Sequence, residues 1–128
     1  MKPEMSLLIW AVALAFAQML IAVQGAVMQV GLMPLIGNRE KLPEITGWAG
    51  RAVRAHRNML ESMALFIPLV VIAVVAGKTN AMTLLGAQLF LWSRLAYAAV
   101  YFIGVPWLRT GVWAVSVAGM ILIFLQLV

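Results

Sequence analysis

A short charged segment, RAVRAHRNMLE at residues 51–61, runs without a break into one of the most apolar stretches of the chain, SMALFIPLVVIAVVAG. At about 100° per residue in an α-helix, most of its polar side chains share a stripe about 120° wide. The residues on this stripe are Arg51, Arg54, Arg57, Asn58 and Glu61. Guanidinium groups bind carboxylates through paired hydrogen bonds. The pattern therefore indicates an anion-binding surface on a helix that enters an apolar environment.

A second set of polar side chains follows later in the chain at a matching spacing. Arg94, Tyr97 and Tyr101 stand at positions i, i+3 and i+7, which places them on one face of a helix. Arg109 and Thr110 open the next apolar segment. If these segments cross a membrane as neighbouring helices, both sets of side chains lie in the same leaflet.

The two sets together carry a surplus of positive charge. The cationic side chains are Arg54, Arg57, Arg94 and Arg109. Glu61 alone opposes them, and each unpaired charge at the centre of a bilayer costs on the order of 3 kcal/mol. Either several arginines extend to the membrane surface within a structural ion-pair network, or the site binds an anion from elsewhere. Simpler interpretations also stay open, since Arg109 fits the usual cation at a cytoplasmic helix end and the two tyrosines fit an interfacial aromatic belt.

The composition is that of an integral membrane protein. Of the 128 residues, 65% are hydrophobic and 10% are charged, whereas charged residues make up about 25% of a soluble domain. The net charge of +5 comes from nine basic residues, most of which flank or enter apolar segments. Membrane orientation therefore explains them better than nucleic-acid binding does. The absence of cysteine excludes disulfides, a thiol nucleophile and thiolate metal ligands.

Four apolar segments predict an all-α membrane protein, a left-handed four-helix transmembrane bundle that forms one domain over residues 1–128. The predicted helices cover about residues 5–36, 46–77, 82–103 and 107–127. Short turn-rich segments such as GKTNA and GVPW separate them, so successive helices are expected to be antiparallel neighbours. Thr46 is predicted to cap the second helix, and Pro106 is predicted to stand at the start of the fourth.

Loop charges predict the orientation in the membrane. One side of the membrane receives Arg39, Lys41, Arg51, Arg54, Arg57 and Arg109, and the other receives Lys2 and Lys78. The positive-inside rule then places loops one and three in the cytoplasm and both termini outside. The first apolar run continues past a potential signal-peptide cleavage site, which favours a retained first helix.

His56, the only histidine, lies off the polar stripe of the second helix. No second histidine, cysteine or carboxylate stands at ligand spacing on its face of the helix. We therefore expect no metal site.

The segments RAVRAHRNMLE, SRLAYAAVY and LRT resemble the MAPEG family, the membrane-associated proteins in eicosanoid and glutathione metabolism. The compact length and short first loop are similar to a bacterial member of this family, related to the microsomal glutathione transferases. The resemblance implies an integral protein of a bacterial inner membrane. It also implies a homotrimer that binds glutathione between neighbouring subunits, near the cytoplasmic leaflet.

The resemblance further implies roles for individual residues. The positions that match glutathione-binding residues are Arg54, Arg57, Asn58, Glu61, Arg94, Tyr97 and Tyr101. Arg109 matches the arginine that activates the thiol. Glutathione has two carboxylates and one ammonium group, so guanidinium groups suit its acidic ends and Glu61 suits its ammonium group.

The leading hypothesis is a glutathione transferase, with peroxidase activity as a variant of the same chemistry. It would conjugate the glutathione thiolate to apolar electrophiles that arrive through the bilayer. A free thiol has a pKa near 8.5, and lowering it by about two units requires roughly 2.7 kcal/mol of stabilisation, which Arg109 could supply. Glutathione is the expected co-substrate, without a metal or a nucleic-acid partner.

Two alternatives belong to other functional classes. The first is a non-enzymatic membrane trimer that binds lipid or glutathione. The second is a small multidrug-resistance-like transporter, which needs a membrane carboxylate free to exchange protons. Arg54 and Arg57 crowd Glu61 in the sequence and would hold it ionised, which disfavours the transporter.

Overall fold

The computed structural model describes residues 1–37 and 44–128, apart from the side chain of Phe102. Arg39 and Lys41, two of the charges that predict the orientation, lie outside these residues. The described residues form helices and no strand. The helices are α1 (Pro3–Val30), α2 (Leu32–Ile36), α3 (Gly47–Val75), α4 (Ala81–Ile103) and α5 (Pro106–Leu127). The all-helical class predicted from the sequence is confirmed for this part of the chain.

The first predicted helix is interrupted at Gly31. The sequence predicts one helix to about residue 36, but α1 ends at Val30 and the separate helix α2 begins at Leu32. Gly31 has a φ of 85°, in the left-handed region that glycine adopts without steric cost. Its N–H still donates to the Val27 carbonyl oxygen at 2.9 Å. The apolar run therefore turns at Gly31 instead of continuing as one straight helix.

The start of α3 is held by a side chain of α1. Thr46 is the N-cap residue, as predicted, but its own side chain makes no capping hydrogen bond. The Gln29 Nε2 instead donates to the Thr46 carbonyl oxygen at 2.5 Å, and the Thr46 N–H donates to Gln29 Oε1 at 3.0 Å. This pair of hydrogen bonds joins the end of α1 to the start of α3, so the two helices are antiparallel.

The four long helices pack against one another, with α1 chiefly against α3 and α4 chiefly against α5. Gly86 of α4 and Gly119 of α5 meet so closely that a Cβ on Gly119 would lie 2.6 Å from the Gly86 carbonyl oxygen. Small residues permit such close approach between helices. In the apolar core, the rings of Phe66 and Phe90 stack with their centroids 3.8 Å apart.

Three of the helices are long and apolar enough to cross a membrane, namely Pro3–Val30, Gly47–Val75 and Pro106–Leu127. The fourth long helix, α4, contains Gln88 and the charged Arg94. These two polar side chains interrupt the apolar sequence of α4.

Polar contacts join the helix ends on the side of the molecule that holds both termini. The buried Glu4 at the start of α1 accepts a hydrogen bond of 2.8 Å from the Thr83 hydroxyl of α4. Asn80 and Thr83 form the capping box of α4, and the Asn80 Nδ2 donates to Gln126 Oε1 of α5 at 2.9 Å. The start of α3 lies at the opposite side, because α1 and α3 are antiparallel.

Candidate functional site

The helix α3 has one packed face and one open face. Ala55 on the packed face is buried with Tyr97 and Tyr101 of α4, and Met59 lies in the main core. The open face holds the polar stripe predicted from the sequence, whose members at this level are Arg54, Arg57, Asn58 and Glu61. Of these four, only Asn58 is half-buried and the others are exposed. The small Ala55 side chain lets the tyrosines of α4 reach the edge of this open face.

Arg94 lies inside the protein beneath Asn58. Its side chain is only 1% exposed, and its Nη1 donates to the Asn58 Oδ1 at 2.8 Å. The centre of its guanidinium group stands 4.2 Å from the centroid of the Tyr97 ring, in a cation–π contact. Its Nε and Nη2 are buried and have no hydrogen-bond partner among the described residues. Arg94 is thus a buried cation held by an amide and an aromatic ring.

Tyr101 connects two further arginines. The Arg54 Nε of α3 donates to the Tyr101 hydroxyl at 3.1 Å. Arg109 of α5 lies over the ring of the same tyrosine, with its guanidinium carbon 4.6 Å from the ring centroid. The Tyr97 and Tyr101 rings are themselves 5.5 Å apart. The six residues Arg54, Asn58, Arg94, Tyr97, Tyr101 and Arg109 are called the arginine–tyrosine cluster below.

A short turn between α4 and α5 positions Arg109. Gly104 ends α4 with a φ of 92°, and α5 begins at Pro106, the residue predicted for this position. Arg109 therefore lies in the first turn of α5, where its backbone N–H donates to the Val105 carbonyl oxygen at 3.1 Å. The tight turn brings the start of α5 back beside the end of α4, which explains how Arg109 reaches Tyr101.

Arg57 and Glu61 differ from the rest of the predicted site. Both are exposed on α3, and neither makes a hydrogen bond or ion pair within the described residues. They border the arginine–tyrosine cluster without joining its contacts. The cluster itself therefore contains three guanidinium groups and no carboxylate.

His56 lies on α3 between Arg54 and Arg57 in the sequence, and all three side chains line the groove described below. It is half-buried, and its Nδ1 is buried without a hydrogen-bond partner in the described part of the chain. Within residues 1–37 and 44–128, no group of three or more histidine, cysteine, aspartate or glutamate side chains could hold a metal ion.

A groove of about 730 Å³ runs between α1, α2 and the first half of α3. Its wall is largely apolar and includes Val23, Val27 and Leu35, while the polar groups come from Glu44, Arg54, His56 and Arg57. Arg54 thus lines the groove and also contacts Tyr101. The sequence did not indicate this groove, because the continuous apolar run predicts that residues 32–36 belong to the first helix. Gly31 and Pro34 were the local signals that could have indicated the turn.

Comparison with known proteins identifies the family of the chain. The family model described as the MAPEG family matches residues 7–128. No curated protein and no solved structure matches the chain. The matched range includes every residue of the arginine–tyrosine cluster, and it covers nearly the whole sequence. The chain therefore belongs to the MAPEG family.

Proposed function

We propose that this protein is an integral-membrane glutathione transferase that conjugates the glutathione thiolate to apolar electrophiles. Its family includes membrane proteins of glutathione and eicosanoid metabolism, and the same chemistry extends to a peroxidase. The observation that carries the proposal is the arginine–tyrosine cluster. It gathers three arginines from three helices around two tyrosines.

The charge of the cluster suits glutathione. The three cluster arginines and the adjacent Arg57 outnumber the described carboxylates near them, which are Glu61 on α3 and Glu44 in the groove beside Arg54. Glutathione brings two carboxylates and one ammonium group. Arg54 and Arg57 can bind a carboxylate, and Glu61 can bind the ammonium group. Bound glutathione would therefore reduce the net positive charge of the cluster.

In the proposed membrane arrangement, α4 is a fourth span and three copies form a homotrimer. Arg54, Arg57 and Glu61 are exposed in the single chain, and exposed charges are costly at the depth of acyl chains. A neighbouring copy packed against the open face of α3 would cover them and leave glutathione between subunits. The start of α3 and the α4–α5 turn would face the cytoplasm of a bacterial cell, with both termini outside.

The hydrogen bond at Tyr101 supports a chemical role for this residue in the proposed reaction. Its hydroxyl oxygen accepts from the Arg54 Nε, so its own proton remains available for donation. A hydroxyl that donates to a thiolate stabilises the ionised form of the thiol. Arg109, against the ring of Tyr101, would add positive charge beside the sulfur. The thiolate sulfur would then attack the electrophile and form a thioether, while the displaced or newly formed anion is protonated from solvent.

The first test is the melting temperature of the detergent-purified protein with and without millimolar glutathione. A ligand at about 100 times its dissociation constant stabilises the fold by roughly 2.7 kcal/mol. We expect a rise for the wild type and little change for Arg54→Ala. No rise for a wild-type protein that stays oligomeric would contradict glutathione binding. If binding is found, the ultraviolet absorbance of the thiolate separates a transferase from a protein that binds glutathione without activating it.

The groove beside Arg54 favours a second candidate function, a membrane protein that binds lipid without catalysis. An apolar wall that also carries two arginines against the single carboxylate of Glu44 suits an acyl chain that bears an anionic head group. Such a protein would retain tightly bound anionic lipid through purification and would show no conjugation of apolar electrophiles. The transferase predicts turnover with these electrophiles and glutathione.

A further inference from the structure

The contact between Arg94 and Asn58 determines which way the Asn58 amide faces. Arginine has five N–H donors and no acceptor. The Asn58 atom 2.8 Å from the Arg94 Nη1 is therefore the amide oxygen. Because the two amide atoms lie on opposite sides of the side-chain axis, the Nδ2 of Asn58 points away from Arg94. No described residue accepts a hydrogen bond from this Nδ2.

Asn58 is well placed to use that free donor. It is half-buried on α3, four residues after Arg54 and three before Glu61, so the three side chains share one helix face. Arg94, by contrast, is 1% exposed and is covered by Asn58 and the Tyr97 ring. A ligand on the open face of α3 can reach Asn58, whereas Arg94 is shielded from it.

We propose that Arg94 is a positioning residue that locks the Asn58 amide with its N–H groups toward the ligand, so that Asn58 recognises a carboxylate or carbonyl oxygen. This inference rests on the proposed function for the identity of the ligand, glutathione. It departs from the expectation that Arg94 itself contacts glutathione. The Asn58 amide would then act with Arg54 on an acidic end of the tripeptide, and Glu61 would hold the ammonium group alone.

The burial of Arg94 makes this orientation of the Asn58 amide harder to reverse. The Asn58 oxygen is the hydrogen-bond acceptor that the described residues offer to the Arg94 guanidinium, whose Nε and Nη2 are unpaired. Rotating the amide would place N–H groups against N–H groups and leave a buried cation without an acceptor, which is costly. The amide orientation is therefore set before the ligand arrives, and binding does not have to supply the energy of reorganisation.

Two substitutions of Asn58 distinguish a role in recognising the ligand from a purely structural role. Asn58→Asp has nearly the same shape, offers a carboxylate to Arg94, and removes the N–H donor. Asn58→Leu removes both the acceptor and the donor. We expect the melting temperature without ligand to equal or exceed the wild-type value in Asn58→Asp and to fall in Asn58→Leu. We expect both variants to bind glutathione at least about tenfold more weakly in titration calorimetry, because a hydrogen bond to a charged group is lost.

Two results would overturn the inference. If Asn58→Asp binds glutathione as tightly as the wild type or more tightly, the side chain faces the ammonium group as an acceptor. If Asn58→Asp melts as low as Asn58→Leu, the oxygen does not face Arg94. The melting comparison needs no glutathione, so it tests the orientation even for a wild-type protein that fails to bind the tripeptide. That failure would instead contradict the proposed function.

Arg94→Lys provides a second measurement if a variant of Asn58 does not fold. Lysine keeps the positive charge but offers a mobile ammonium group instead of a rigid guanidinium group. We expect glutathione to bind about threefold to tenfold more weakly than to the wild type. We also expect a smaller preference for glutathione over the monoester in which the carboxylate near Asn58 is blocked. Unchanged affinity and an unchanged preference would contradict a positioning role for Arg94.

Discussion

The Arg54 Nε of α3 donates a hydrogen bond of 3.1 Å to the Tyr101 hydroxyl of α4. Arg109 of α5 packs over the ring of the same tyrosine. Tyr101 thereby links three helices through one side chain. Its hydroxyl serves as an acceptor for a cation that the proposed function assigns to ligand binding. The orientation of Arg54 therefore depends on the Tyr101 hydroxyl oxygen, which a phenylalanine substitution removes while it keeps the aromatic ring.

Removing that hydroxyl with Tyr101→Phe should weaken glutathione binding by about fivefold to tenfold, because Arg54 loses a fixed acceptor worth roughly 1 kcal/mol. The ring still packs against Arg109, so the melting temperature without ligand should change little. Titration calorimetry measures the affinity. The matched variant is Tyr97→Phe, since the Tyr97 hydroxyl makes no hydrogen bond among the described residues. Equal losses of affinity in the two variants would argue against a special role for the Arg54–Tyr101 contact.

Arg109→Ala should lower kcat by up to about 100-fold and change KM by less than about threefold. Loss of roughly 2.7 kcal/mol of thiolate stabilisation corresponds to a hundredfold change in rate. Steady-state kinetics with varied glutathione and an apolar electrophile give both parameters. Thr110→Ala serves as the control, because Thr110 is exposed and, among the described residues, its hydroxyl donates only to the Pro106 carbonyl oxygen of its own helix. Parallel losses in kcat and in glutathione affinity would assign Arg109 to binding instead.

Close packing between α4 and α5 leaves no room for a side chain at Gly119. A Cβ at this position would lie 2.6 Å from the Gly86 carbonyl oxygen and 3.1 Å from the Phe90 backbone nitrogen. Gly119→Ala should therefore destabilise the fold by about 1–3 kcal/mol. Gly111→Ala in the same helix meets no atom within 4 Å and should leave the melting temperature unchanged or slightly higher. A neutral Gly119→Ala would mean that the two helices can separate at little cost.

The hydrogen bonds between Gln29 and Thr46 should stabilise the contact between the end of α1 and the start of α3. Gln29→Ala leaves the backbone groups of Thr46 without their side-chain partner and should cost about 1–2 kcal/mol. Because Arg54 lies two turns further along α3, glutathione affinity should also fall modestly. Gln24→Ala is the control, since Gln24 is exposed on α1 and makes no hydrogen bond with a described residue. Thermal melts of the two variants should differ, and identical melts would show that water replaces the amide of Gln29.

Local geometry explains which parts of the cluster could be predicted from the sequence. The spacing of Arg94, Tyr97 and Tyr101 fixes their common helix face whatever the helix packs against. The burial of Arg94 beneath Asn58 depends on the register between α3 and α4, which one sequence does not specify. The pairing of Gln29 with Thr46 depends in the same way on the register between α1 and α3. The break at Gly31 had a local signal, but the continuous apolar run outweighed it in the prediction.

The hydrogen bond that the Thr83 hydroxyl donates to Glu4 and the one that the Asn80 amide donates to Gln126 bring the start of α1 and the end of α5 together on one side of the molecule. The arginine–tyrosine cluster lies toward the other side. An affinity tag or a fluorescent protein fused to either terminus should therefore leave the cluster unobstructed. Protein immobilised through such a tag on a sensor surface would present the cluster to the flowing solution, whichever terminus is chosen.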